Sequence, residues 1–242
     1  MPTDRFSTRM GAAIPAVTAA QMREIDRIAI EETGPNLFQM MENAGRSLAM
    51  ATIERLGTHR RTVFVLAGSG GNGGGGICAA RHLANHGVDV TLVLADEQKL
   101  GEVPSQQLAV YRSTPGALLS PDQLDGAGAH IVVDALIGYS LNGEPRGPVA
   151  DLIAFANTRS EQAISLDVPS GIDATSGEAP GDHVTASLTV TLALPKTGLD
   201  SRAVGRLELA DIGIPRAVYE RAGVTVPATA FGVGYRTRIK PS

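Results

Sequence analysis

The chain has 242 residues, 43% of them apolar, with a net charge of −4, one cysteine and no tryptophan. This composition supports a packed core and lacks the concentrated basic footprint and aromatic platforms of a nucleic-acid-binding module. A lone cysteine excludes an internal disulfide, and no run reaches the ~20 apolar residues of a membrane span, so a cytoplasmic protein is expected.

Residues 1–14 are mixed and polar, with no signal-peptide core, and are expected to be a disordered lead-in to one domain over 15–235. Thr18 to Glu32 has the helical period, with Thr18 as cap and Met22, Ile25, Ile28 and Ala29 as its apolar stripe. Gly34-Pro35 breaks it. Asn36 to Leu56 is a second helix, ending near Gly57. Thr62 to Leu66 is a short apolar β-run, followed by glycines and a helical segment from about Ile77 to Asn85. Val88 to Leu94 is another apolar run, Val103 to Arg112 a helix, and Ile131 to Asp134 a strand. Pro148 to Asn157 is a helix with proline in its first turn. Strands follow at Ala163 to Asp167, Leu188 to Leu194 and Arg206 to Ala210. Continuous apolar runs alternating with helices indicate a mostly parallel sheet covered on both faces, an α/β three-layer, doubly wound, Rossmann-like αβα sandwich. The short basic clusters His59-Arg60-Arg61 and Arg236-Thr237-Arg238 read as solvated surface.

Ligands of such sheets bind outside the carboxyl ends of the strands. Three features fall there: the glycine-rich stretch after Leu66, Asp134 and Asp167. Gly68, Gly70 and Gly73 satisfy G-x-G-x-x-G between a strand and a helix, with Asp96 at the end of the next strand. Such a turn lets an anion approach the unpaired N–H groups of a helix start. Asp134 and Asp167 each end a strand at a sharp turn, whereas Asp173 reads as ordinary turn chemistry. Oxygens of Asn72, Asp134 and Ser170 suit a hard cation. No His/Cys grouping suggests zinc; His82 and His86 share a helix face, and Cys78 reads as a small buried hydrophobe without a partner.

These residues carry a resemblance to the NAD(P)H-hydrate epimerase family. Its landmarks are Met41-Glu42-Asn43-Ala44-Gly45, the glycine stretch running into Ala80-Arg81-His82-Leu83, Asp134-Ala135-Leu136-Ile137-Gly138, Asp167-Val168-Pro169-Ser170-Gly171-Ile172-Asp173 and Pro195-Lys196-Thr197-Gly198. The resemblance spans about Thr18 to Ile214. It implies a Rossmann-like fold, a homodimer, and epimerisation of the R and S forms of hydrated NADH and NADPH, a repair of damaged nicotinamide nucleotides. It also implies a potassium ion held by Asn72, Asp134 and Ser170. The hydrated nucleotide would lie against Asn43, against Gly71, Asn72, Gly73, Gly74 and Gly75, against Gly138, Tyr139, Ser140, Leu141, Asn142, Gly143 and Glu144, and against Asp167. The dehydratase domain with which the family is often fused is not expected here.

One departure stands out. The family stretch usually reads Gly-Asn-Asn-Gly-Gly-Asp-Gly, and here Gly71 and Gly75 replace its first Asn and its Asp. Two readings follow: an epimerase using Asp167 as its acid–base group, or a relative that binds nucleotide or a partner protein without turnover. The bare glycine pattern also allows an NAD-dependent oxidoreductase, although no Tyr-x-x-x-Lys pair accompanies it.

Overall fold

The computed structural model describes residues 3–57, 62–124, 128–158, 162–200, 202–232 and 234–242. The cluster His59-Arg60-Arg61 lies outside the described residues. Helix α1 (Ala19–Ile28) begins at a capping box, in which Thr18 Oγ1 accepts from the Gln21 amide at 3.2 Å and Gln21 Oε1 accepts from the Thr18 amide at 2.9 Å. A π-helical segment, Ala29–Thr33, continues it. Helix α2 (Leu37–Leu56) starts at the same device, built from Asn36 and Gln39.

The central parallel strands are β3 (Thr62–Ala67), β4 (Asp89–Leu94), β5 (Ala117–Leu119), β6 (Ile131–Ala135), β7 (Ala163–Leu166), β8 (Leu188–Leu192) and β9 (Arg206–Ala210). Antiparallel strands β1 (Thr3–Thr8), β2 (Ala13–Ala16) and β10 (Arg236–Pro241) extend one edge, giving the order β2-β1-β10-β9-β8-β7-β6-β3-β4-β5. The chain runs outward from β3 to β5, returns beside β3 as β6, and runs outward the other way. The crevice between the carboxyl ends of β3 and β6 is therefore the topological switch point.

Alternate residues of the buried strands enter different cores. Val63 and Val65 pack under α2, α3 (Gly71–Asn85) and α4 (Glu102–Tyr111), while Phe64 and Val132 meet α5 (Pro148–Asn157) on the other face. A third core joins α1 and α6 (Arg216–Arg221) to the antiparallel edge.

Two expectations need correction at the ends of the chain. Residues 1–14 are not a disordered lead-in throughout, and the sheet does not end at 235. Phe6 and Ile14 are fully buried, and β1 pairs with β10, Phe6 lying opposite Pro241. Single buried apolar residues hold these strands in place, a weaker sequence signal than a continuous run. Arg236 is likewise no solvated surface residue: its Nε lies 2.6 Å from Glu208, and it also pairs with Glu54 and donates to the Ser47 carbonyl at 3.0 Å.

A further correction concerns the glycines. They form no long loop; the turn closes by Gly70, and Gly71 to Gly76 are the first turns of α3. Glycine costs roughly 1 kcal/mol against alanine inside a helix, so packing must select it. A Cβ at Gly73 would stand 1.8 Å from the Gly68 carbonyl oxygen, and one at Gly76 would stand 2.5 Å from Ala135 on β6. The bare helix start thus seats directly on the ends of β3 and β6. At Gly71 the nearest outside atom is 3.7 Å from a built Cβ. Accordingly, Gly76→Ala should lose about 1–3 kcal/mol of stability by overpacking, and Gly71→Ala should lose none. Urea unfolding of the two variants checks this contrast.

Candidate active site

Asp167 follows β7 with φ of 67°, in the left-handed region that few side chains other than Asn and Asp enter. Its environment fixes this conformation. The backbone amide donates to Val190 O at 2.8 Å, Oδ2 accepts from the Tyr139 amide at 3.1 Å, and Oδ1 accepts from the Leu192 amide at 3.3 Å. Oδ1 also pairs with the Lys196 ammonium, which donates in turn to Leu192 O at 2.9 Å. Asp167 is 3% exposed and Lys196 1%. A buried pair of this kind persists only when further hydrogen bonds satisfy both partners, as they do here. The ammonium also sits 5.9 Å from the centre of the Tyr139 ring, within cation–π range.

Gly138 is the meeting point of the site. A Cβ there would stand 3.0 Å from Asp167 Oδ2 and 3.1 Å from Asn72 Oδ1, so the bare backbone lets those side chains converge. The buried Nδ2 of Asn72 has no hydrogen-bond partner. Asp134 lies at the end of β6, entirely buried. Its carboxylate accepts from Ser170 Oγ at 2.5 Å, the Ser170 amide at 2.9 Å, Ser165 Oγ at 2.8 Å and the Leu136 amide at 3.2 Å. Burial pushes its carboxyl above the ordinary aspartate range, against the pull of these four donors. Among the described residues it has no cationic side-chain partner.

A cavity of about 320 Å³ opens over this cluster. Asn72, Gly138, Tyr139, Ser140, Asp167 and Lys196 line its polar side, and Met22, Leu37, Met40, Met41, Leu166 and Ile212 are on its apolar side. Such a mixture, mostly apolar with a few convergent polar groups, is the usual make-up of a small-molecule site. Gly71 and Gly75 also line it. One helical turn apart on α3, they leave the wall bare where the family pattern carries an Asn and an Asp.

The structure does not gather every anticipated residue at this cavity. Gly73 and Gly74 are buried in α3 and are not among its lining residues. Asn43 is also outside the lining; its Nδ2 donates to Ile212 O at 3.1 Å, fastening α2 to the segment after β9. Leu141 and Gly143 line a separate surface depression beside Asp173, and Asn142 and Glu144 are exposed. Asp173 is a turn residue, as expected, its Oδ1 accepting from the Thr175 and Ser176 amides at 2.9 and 2.8 Å. Asp96 caps the turn Glu97–Lys99 and pairs with Lys99 at 2.8 Å, away from the cavity.

Cys78 does have partners. Its Sγ lies 3.3 Å from Glu42 Oε2, and His82 Nε2 lies 2.9 Å from Glu42 Oε1. These three ligand-type groups are close enough for a metal, but a guanidinium nitrogen of Arg81 already stands among them, 2.5 Å from Glu42, 3.3 Å from Cys78 and 3.4 Å from His82. Burial works against the Glu42 charge, yet Arg81, Cys78 and His82 hold its carboxyl down at about 2. Burial pushes the Cys78 thiol up to about 12, which leaves it unreactive at neutral pH. The cluster is an Arg81-centred clamp between α2 and α3.

Two charged lining residues were not anticipated as site residues. Lys196 follows the apolar run of β8, where a lone lysine after a buried strand is the available sign. Asp26 lines the cavity from α1 and accepts from the Tyr139 hydroxyl at 2.5 Å. Its sign is a carboxylate four residues after Met22, on the margin of an apolar stripe.

Removing Lys196 would strand a buried carboxylate. Lys196→Ala should cost about 3 kcal/mol, visible as a lowered urea midpoint, whereas the double change with Asp167→Ala should recover part of that loss.

Residues 37–198 match the family described as YjeF-related protein N-terminus. An NAD(P)H-hydrate epimerase of Dehalogenimonas lykanthroporepellens is 52% identical over 240 residues, 98% of each chain. One of Truepera radiovictrix is 38% identical, covering 86% of this chain and 94% of that one. A bifunctional NAD(P)H-hydrate repair enzyme of Hyperthermus butylicus is 38% identical over 83% of this chain and 38% of its own length. The crystal structure of yeast ynu0 superposes with a TM-score of 0.80 at 23% identity, over 94% of this chain and 99% of that one, and supports the fold. The chain belongs to the YjeF-related N-terminal family, that of the NAD(P)H-hydrate epimerases.

Proposed function

We propose that this protein is an isomerase that interconverts the R and S forms of hydrated NADH and NADPH, in the repair of nicotinamide nucleotides. The observation that carries this reading is the carboxylate of Asp167, clamped by Lys196 and by backbone amides at the mouth of the switch-point crevice. Hydration of an enamine double bond leaves a hydroxyl on the carbon bonded to the ring nitrogen. Epimerisation breaks that carbon–oxygen bond while the nitrogen lone pair forms a carbon–nitrogen double bond, and the oxygen leaves as water. Water then adds to the opposite face, and the proton it loses restores the enzyme. Nothing is consumed. A positioned carboxylate contributes roughly 10²–10⁴-fold to such proton transfers, and Asp167 is assigned that role. The oxidoreductase alternative is set aside, since the relatives that align along nearly their whole lengths are named as epimerases.

In this reading the nucleotide occupies the cavity against Gly71, Asn72, Gly75, Gly138, Tyr139 and Ser140. Of the remaining expected contacts, Leu141 to Glu144 would serve as an outer rim, whereas Asn43, Gly73 and Gly74 lie behind the cavity wall and would not touch the nucleotide. A potassium ion fits the donors present. Asn72 Oδ1, Asp134 and Ser170 Oγ are hard oxygens, and among the described residues Asp134 is a buried carboxylate without a cationic partner. Bound there, the ion would supply a fixed positive charge beside Asp134. No described helix is long and apolar enough to cross a membrane. A cytoplasmic homodimer completes the proposal.

The first measurement is chromatographic separation of the two epimers over time, with protein added to a single epimer beside a blank. The protein should speed the approach to equilibrium, and Asp167→Asn should lose that acceleration while still binding nucleotide. Full activity in Asp167→Asn would remove the assignment. Replacing potassium with tetramethylammonium should lower the melting temperature of the wild type, because a ligand of the native state stabilises it; Asp134→Asn should abolish that difference.

A further inference from the structure

Epimerisation exchanges water between the two faces of one ring, and a carboxylate fixed by three partners on one side of a cavity reaches one face. The cavity holds a second carboxylate, Asp26, presented by α1 rather than by a strand end. Tyr139 stands between the two. Its backbone amide donates to Asp167 Oδ2 at 3.1 Å, and its hydroxyl donates to Asp26 Oδ2 at 2.5 Å. One residue therefore holds both carboxylates, each by one oxygen. Among the described residues no hydrogen bond reaches Asp26 Oδ1. The surroundings of the two differ. Asp167 is paired with an ammonium, whereas Asp26 has only a neutral hydroxyl.

Resting on the epimerase reading above, we propose that Asp26 is the second acid–base catalyst of the site, serving the ring face opposite Asp167, and that Tyr139 is its positioning residue. For one epimer, the Asp26 carboxyl gives its proton to the departing hydroxyl, which leaves as water. Asp167 takes a proton from the water that adds on the other face. Asp26 ends ionised and Asp167 protonated, the pair of states that the other epimer requires. Two carboxylates in different surroundings, one paired with an ammonium and one with a neutral hydroxyl, are the arrangement expected for acid and base assignments. Burial raises the Asp26 carboxyl above the ordinary aspartate range, a shift the Tyr139 hydrogen bond and the Lys196 charge oppose and the Asp167 charge assists. Tyr219 on α6 also feels the Asp26 charge. Tyr139, Lys196, Asp167 and Tyr219 are thus the titratable groups around it.

The test uses ¹⁸O-water with each epimer separately, following epimerisation and label uptake against a blank. Wild type should do both. In Asp26→Asn, epimerisation should fall about 10²-fold or more with nucleotide binding retained. One epimer, the one whose hydroxyl faces Asp167, should still take up label without inverting. Epimerisation by Asp26→Asn at the wild-type rate overturns the assignment of Asp26 and leaves the epimerase reading intact. Wild type that neither epimerises nor takes up label above the blank defeats the epimerase reading itself.

Tyr139→Phe provides an independent check. Asp26 acts as an acid when protonated, so turnover of the epimer it protonates falls as pH rises through its pKa. Removing a donor to the charged carboxylate raises that pKa further, and the falling limb of kcat should move to higher pH in Tyr139→Phe. A limb that stays in place overturns the positioning role.

Discussion

The site depends on a charge pair shielded from water. Lys196 and Asp167 come from different loops, after β8 and β7, and neither could be left buried without the other. Their association does more than cancel charge. It ties together two strand ends, holds Asp167 in a left-handed backbone conformation, and draws the Tyr139 amide onto the same carboxylate. Backbone strain of this kind persists only where the surroundings over-determine it, and four separate contacts do so here.

Behind the pair lies a second layer of order. Asp134 collects donors from β7 through Ser165, from the turn after β7 through Ser170, and from its own turn through Leu136. The Ser170 hydroxyl in turn accepts from the Ile137 amide at 2.8 Å. The two loops that frame the cavity are thereby fastened to each other before any ligand arrives. Preorganised groups need no reorganisation at the moment of reaction, which is where enclosed polar sites gain most over water. The seating of bare helix α3 on β3 and β6 belongs to the same design, since any side chain at Gly76 would lift the helix from the crevice.

Much of this was legible in the residues. Asn36 announced α2, Pro148 to Asn157 matched α5, and the apolar runs announced six of the seven parallel strands, two of them with terminal carboxylates; the three-residue β5 gave no such run. The glycine stretch was misread as loop because its helicity comes from packing against Gly68 and Ala135, a tertiary effect that propensity opposes. Strands β1 and β10 were missed because each carries a single large apolar residue, Phe6 or Ile239, into the core, and β2 because it is an edge strand of only four residues. In β10 the charges of Arg236 and Arg238 hide Ile239. Asp173 was read correctly as a turn, since its partners lie within three positions of sequence. Asp26 and Lys196 escaped as functional residues because their partners lie 113 and 29 positions away, distances that no local pattern reports.

The pairing of β1 with β10 separates the two halves of the site by the reach of the contacts that place them. Asp134 and Asp167 are placed by neighbouring parallel strands, and the contacts among them span at most a few tens of residues. Helix α1, with Asp26, shares its core with Phe6 from β1 and Ile239 from β10. That core closes only when strands from opposite ends of the sequence meet, Phe6 against Pro241, and loop closure over such a length is among the slowest contacts a chain makes. The strand-borne wall of the cavity therefore rests on contacts of much shorter sequence separation than the core that seats its helix-borne wall.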